Sequence, residues 1–295
     1  MTESKRKTPV TLFVFVDGLG CGSDDPAINP LVSGRYPALQ RLLKEEAVPI
    51  DAGLDTPGLP QSATGQATIL TGKNAAKVNG RHVEGFPGPT LKALVREHNI
   101  FSALGRRGYR STFANAYHLP HVDEVKALRR QSVTTVAALE AFNGVRMMDD
   151  LRAGRAVYQD ITRTILRARG IDVPVVTPEE AAGHLMDIAR DLDFTLFEYF
   201  QTDLMAHKGG DEDVHRVLSE IDRFVAGLLV YPMTDGHLLI LTSDHGNIED
   251  RSHRQHTHNP VPFVALGTGA EWLRARVRRL EDLAPALLEL YPPRK

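Results

Sequence analysis

Short, unbroken apolar runs alternate along this chain with segments whose apolar positions recur at helical spacing. The runs are TLFVFVDG near residue 11, YRSTFANAY near 109, FTLFEYF near 194, HLLILTSDHG near 237 and VPFVALG near 261. A strand with one wet face alternates apolar and polar residues, so unbroken apolarity implies strands covered on both faces. Between them lie the helix candidates PALQRLLKEE, PTLKALVREH, TPEEAAGHLMDIARDLD, DEDVHRVLSEIDRFVAGLL and LEDLAPALLELY. Pro89 and Pro178 fall where a first helical turn tolerates a missing N–H, and Thr177 ahead of Glu179 and Glu180 reads as a helix cap. The pattern predicts an α/β fold with a mostly parallel central sheet and helices on both faces. In such sheets ligands gather beyond the carboxyl ends of the strands. Asp17, Asp203 and Asp244 each fall at or just after the end of a predicted strand, so the fold collects them at one edge.

The stretch from His118 to Val176 is different: it is rich in arginine and helix formers and shows no clear strand. The expectation is one domain over 1–295, with a small helical lid at about 118–176; helices packed on the sheet are the alternative. Repeats and low-complexity linkers that would mark a second domain are absent from the sequence.

Composition narrows the function classes. With 35 basic and 37 acidic residues the formal net charge is -2, which gives no electrostatic reason to expect nucleic acid or an acidic membrane surface. The apolar run after the basic N-terminus is too short to span a bilayer and reads as the first buried strand. Cys21, the single cysteine, cannot form an internal disulfide, which points to a cytoplasmic setting and to a packing role. A symmetric homodimer is the default expectation for such a chain.

The chemistry concentrates in QTDLMAHKGG, LTSDHGNIED and RSHRQHTHNPVPF. Asp203 and His207 stand one helical turn apart, Asp244 and His245 are adjacent, and His253, His256 and His258 crowd the next turn. Mixed carboxylate and imidazole donors suit zinc or manganese, whereas an oxygen-only set suits calcium or magnesium. VDGLG adds Asp17, and GLPQSATGQATILTG adds Ser62 ahead of a helix. A serine in that place is ordinarily a helix cap.

In this order, VDGLG, the segment from Ser62 to Thr71-Gly72, Asp203 with His207, SDHGN and HTHNPVPF resemble the alkaline phosphatase superfamily. The resemblance is nearest to its branch of cofactor-independent phosphoglycerate mutases and phosphopentomutase-like enzymes. It covers both ends of the chain and leaves the middle uncovered. It implies a three-layer sandwich holding two divalent ions, manganese or zinc. One would be held by Asp17, Ser62, Asp244 and His245, and the other by Asp203, His207 and His256. Ser62 would be the nucleophile, becoming a phosphoserine as it takes the phosphoryl group of a small phosphorylated substrate.

Other residues have plainer expectations. His253 and His258 are either partners that orient ligands or solvated loop residues, and Asn247 serves loop geometry. Asn74, Arg81 and His82 are within chain reach of substrate, and Arg129, Arg130, Arg152 and Arg155 could grip phosphate or simply face solvent.

Departures from the family pattern shape the functional expectation. Gln66 stands where the mutases place a histidine, and ordinary element lengths leave room for an insertion of only about 50 to 60 residues. A full mutase cap does not fit, and the sulfatase pattern is absent after Ser62. The expectation is therefore a phosphomonoesterase. A compact phosphomutase, a phosphodiesterase or phosphonate hydrolase, and a catalytically silent metal-stabilised binding protein are the alternatives.

Overall fold

The computed structural model describes residues 8–231 and 236–294. Six strands, β1 (Val10–Val16), β2 (Ala47–Ile50), β3 (Ser111–Phe113), β4 (Phe194–Tyr199), β5 (His237–Thr242) and β6 (Val261–Gly267), form one sheet in the order β2-β6-β5-β1-β4-β3. β3, β4, β1 and β5 run parallel, while β6 and β2 pair antiparallel at one side. β2 is the strand that apolar patterning misses. It is short, partly exposed and carries Pro49, which an edge position tolerates because no inner ladder depends on its N–H.

The unbroken apolar runs have the predicted cause. Phe13 and Phe15 of β1 enter one buried cluster with Phe194, Leu196, Leu238 and Ile240, and Leu12, Val14 and Val16 enter another with Phe197, Leu239 and Leu241. The helices Ser62–Thr71, Pro89–His98, Ile100–Arg106, Val133–Phe142 and Leu283–Glu289 contribute to the first cluster. Pro37–Glu45, Pro178–Arg190 and Asp211–Leu229 contribute to the second. This is a three-layer α/β sandwich, and each fully buried large side chain contributes on the order of 1.5–3 kcal/mol of transfer free energy. Thr177 caps Pro178–Arg190 through the Glu180 N–H, and the Glu180 carboxylate returns the bond to Thr177.

In the 118–176 stretch, Val133–Phe142 belongs to the main core, whereas Leu151, Ala156, Tyr158, Leu166 and Val173 close a small cluster of their own. Isolated bridges Asn115–Val157 and Ala116–Arg146 tie that cluster to the end of β3. No described helix is long and apolar enough to cross a membrane.

Candidate metal centre

β4, β1 and β5 are neighbours in parallel register, with Val16 opposite Tyr199 and Phe15 opposite Thr242. Their carboxyl ends therefore deliver Asp17, Asp203 and Asp244 to one edge. β6 runs the other way, so the loop that feeds it also arrives there and brings His256. Ser62 opens the helix Ser62–Thr71, but Gln61 occupies its cap position, which removes the ordinary capping explanation for the serine. Gly65 lets this helix touch the β5 loop: a Cβ there would sit 2.7 Å from the Asp244 Cβ.

Two constellations result. Ser62 Oγ lies 2.9 Å from His245 Nε2, which is 3.3 Å from Asp17 Oδ1 and 3.6 Å from Asp244 Oδ2. In the second, Asp203 Oδ1 is 3.4 Å from the Nε2 atoms of both His207 and His256, and those two nitrogens are 2.9 Å apart. The His245 and His256 rings stack at 3.7 Å and join the two groups. His245 can supply a ligand atom alongside either Asp17 and Asp244 or Asp203 and His256.

Backbone carbonyls set the imidazole tautomers. His207 Nδ1 faces the Arg254 carbonyl and His256 Nδ1 the Pro60 carbonyl, each at 2.8 Å. A carbonyl only accepts, so Nδ1 carries the hydrogen and Nε2 turns its lone pair into the site. Two such lone pairs at contact distance repel unless a proton or a cation lies between them. Asp17 Oδ1 and Asp244 Oδ2 are buried with no hydrogen-bond donor among the described residues, a costly state that a cation relieves. The donor set thus fits divalent metal ions.

The electrostatics agree. Burial, then the nearby Asp244 and Asp203, pushes the Asp17 carboxyl well above the usual carboxylate range. Burial and Asp203 push Asp244 up to about 8, and burial with the neighbouring His256 holds His245 down at about 3. Burial works against ionised Asp203 as well, yet hydrogen bonds from His207 and His256, which each ring donates from Nε2 only when both its nitrogens are protonated, hold it far below that range, and a cation would take the place of those Nε2 protons.

Several residues take roles that differ from the sequence expectation. Asn247 does more than shape a loop: its amide donates to Asp203 Oδ1 at 2.7 Å. Gln66 donates to Asp17 Oδ2 at 3.1 Å and so orients that carboxylate. Asn74 is committed to capping a short helix and to the Leu54 carbonyl and Glu281, so it does not face substrate. His82 lies against Thr56 and Thr64, and Arg81 is exposed. His253 is an exposed residue beside Asp250, and His258 is exposed too. Arg152 and Arg155 pair with Asp149 and Asp150, and Arg129 is exposed, whereas Arg130 lines the cavity beside the site. Sequence reasoning overlooked Glu249 and Glu198. Glu249 is fully buried just past SDHGN and joins the site loops, and Glu198 is buried in β4 at the cavity wall. An acidic residue inside an otherwise apolar strand, FTLFEYF, was the signal for Glu198.

The model of the metalloenzyme superfamily matches residues 8–291. The chain belongs to this superfamily. Among curated proteins, this metalloenzyme is 33% identical over 125 residues to the 2,3-bisphosphoglycerate-independent phosphoglycerate mutase of Cereibacter sphaeroides, covering 40% of this chain and 24% of the relative. It is 25% identical over 147 residues to the enzyme of the same name from Ehrlichia canis, covering 45% of this chain and 29% of the relative. The matches thus span 24% to 29% of the relatives' length. Among solved structures, the alkaline phosphatase of the Antarctic bacterium TAB5 superposes with a TM-score of 0.58 at 11% identity, covering 98% of this chain and 100% of that one. The PH0037 protein of Pyrococcus horikoshii gives 0.55 at 15% identity, with 98% of each chain covered. At these identities the likeness shows the fold, which is alkaline phosphatase-like.

Proposed function

We propose that this metalloenzyme is a phosphoric-ester hydrolase that works through a phosphoserine on Ser62. The observation that carries it is the place of Ser62 Oγ, buried 2.9 Å from His245 Nε2 beside the orphaned carboxylate oxygens and at the wall of a cavity of about 450 Å³. Asp17, Ser62, Asp244 and His245 would hold one divalent ion, manganese or zinc, and Asp203, His207 and His256 the other. Bound there, the ions supply Lewis-acid charge and lower the pKa of the serine hydroxyl.

The chain's own groups do the remainder. Gln66 and Asn247 fix the carboxylates of Asp17 and Asp203, and the tautomers set by Pro60 and Arg254 keep His256 and His207 facing inward. The Ser62 hydroxyl gives its proton to water, Oγ forms a bond to phosphorus as the bond to the alcohol oxygen breaks, and the departing alkoxide takes that proton back from water. A second water then attacks the phosphoserine, releasing phosphate and restoring the hydroxyl.

Relatives named as mutases support a second reading, in which a bound alcohol rather than water receives the phosphoryl group from Ser62. Both readings are tested by incubating the manganese- or zinc-loaded protein with phosphorylated metabolites and following free phosphate and isomerised product. Release of phosphate supports the hydrolase, and isomerisation without release supports the mutase. Ser62→Ala should abolish turnover while the protein still binds metal, and unchanged phosphate release by that variant would rule out the covalent route.

A further inference from the structure

The cavity beside Ser62 has walls of a definite character. Tyr117, Tyr158, Phe200 and Leu204 line it, and Phe86 and Leu128 stand at it as large apolar side chains left 47% and 39% exposed. Exposed apolar groups next to a reaction centre lose unfavourable hydration only when something apolar covers them. The tyrosine hydroxyls are already engaged, Tyr158 with His118 Nδ1 at 3.0 Å and Tyr117 with the Thr135 hydroxyl. The polar tips are therefore satisfied; Tyr158 is fully buried, and the partly exposed rings of Tyr117 and Phe200 offer a ligand their apolar surface.

Charge in the cavity points the same way. Of its acidic lining residues, Asp17 and Asp203 belong to the two metal-binding groups and Glu198 is buried, and Arg130 is the sole arginine or lysine among the described lining residues. His118 also lines it, but burial and the adjacent Arg169 lower its pKa and favour the neutral ring. A second anionic group on the substrate, such as a carboxylate, would want a bidentate clamp of buried arginines. The cavity has one exposed arginine instead.

We infer that the substrate is a phosphate monoester whose alcohol portion carries an aromatic ring, seated between Tyr117 and Phe200 and covered by Phe86 and Leu128. This deepens the hydrolase reading and rests on it for the phosphate end. The volume suits such a ligand, since pockets for ring-bearing small molecules begin near about 300 Å³.

Binding can be tested apart from catalysis. Calorimetry on the manganese-loaded protein would compare benzylphosphonate with methylphosphonate, which share the phosphonate head and differ by one ring. Benzylphosphonate should bind at least about tenfold more tightly, and the double variant Phe86→Ala/Leu128→Ala should lose most of that advantage, as expected for removal of apolar contact area. Both side chains are partly exposed, so the variant should fold, which its thermal melt checks. Equal affinities, no binding of either compound, or an advantage unaffected by the double substitution would each overturn the inference. Hydrolysis of benzyl phosphate is scored separately: failure there, with the binding preference intact, counts against the hydrolase reading and leaves the aromatic seat standing.

Discussion

The Glu249 carboxylate accepts the backbone N–H of Gly20 at 3.0 Å, tying the loop after β5 to the loop after β1. The same carboxylate accepts the Asn247 N–H at 2.7 Å, the Thr257 hydroxyl at 2.6 Å and the Asn259 amide at 3.0 Å. One buried side chain thus joins the loops that carry Asp17, His245 and His256. Gly20 permits the approach, because a Cβ there would lie 2.2 Å from a Glu249 oxygen. Glu249→Ala should destabilise the fold by about 3 kcal/mol or more, since several buried donors lose their acceptor together. Glu249→Gln keeps the volume but turns an amide toward N–H donors, and should weaken metal binding by about tenfold or more. Denaturant melts and metal titration check the pair, and wild-type metal affinity in Glu249→Gln would remove Glu249 from the positioning role.

His245 stands between the two ligand groups, which makes metal content a sharper readout than activity. His207→Ala should cost one bound ion per chain and Asp17→Asn the other. His245→Ala should cost both, because its ring also stacks on His256. Elemental analysis after desalting distinguishes these outcomes. Full metal content in His245→Ala would sink the shared-ring picture.

The sheet and the gathering of Asp17, Asp203 and Asp244 at one edge were legible for one reason: both depend on local patterns. Doubly covered strands must be apolar throughout, and an edge of parallel strands must present its polar residues just past those runs, as Asp17 and Asp244 do. What escaped depends on contacts far apart in sequence. Glu249 meets Gly20 across 229 positions, and Glu198 meets Thr134 across 64, so no spacing rule points to either. β2 escaped because its edge position relaxes the need for apolarity. Arg130 could not be told from Arg129, Arg152 or Arg155 by composition; only the path of the chain into the cavity separates it.

Gly65 gives a test of how closely the helix that begins at Ser62 must approach Asp244. An added methyl would meet the Asp244 Cβ at 2.7 Å and its carbonyl oxygen at 2.9 Å, and backbone cannot swing aside as a long side chain can. Gly65→Ala should therefore move Ser62 relative to Asp244. Since misplacement by about 1 Å can cost on the order of a hundredfold in rate, kcat should fall by that order while the helix itself gains propensity. Circular dichroism would show the fold retained. A wild-type kcat would mean that the helix and the β5 loop separate without consequence.

Glu198 sets a pH dependence of stability that Glu198→Gln should erase. Burial raises its carboxyl from 4.5 to about 7, against an opposing hydrogen bond donated by the Thr134 hydroxyl at 2.6 Å. The folded chain therefore holds this proton more tightly than the unfolded chain does. Its contribution to stability is fully present below pH 4.5 and is lost as the pH rises through about 7. The loss is on the order of 3 kcal/mol, from about 1.4 kcal/mol for each unit of displacement. Glutamine keeps an oxygen for Thr134 and carries no charge at any pH. In chelator, the variant should melt near the wild type at pH 4.5 and several degrees above it at pH 8. Parallel pH profiles of the two melting temperatures would show that Glu198 is ionised at no cost in the folded chain, and would remove its burial as the cause.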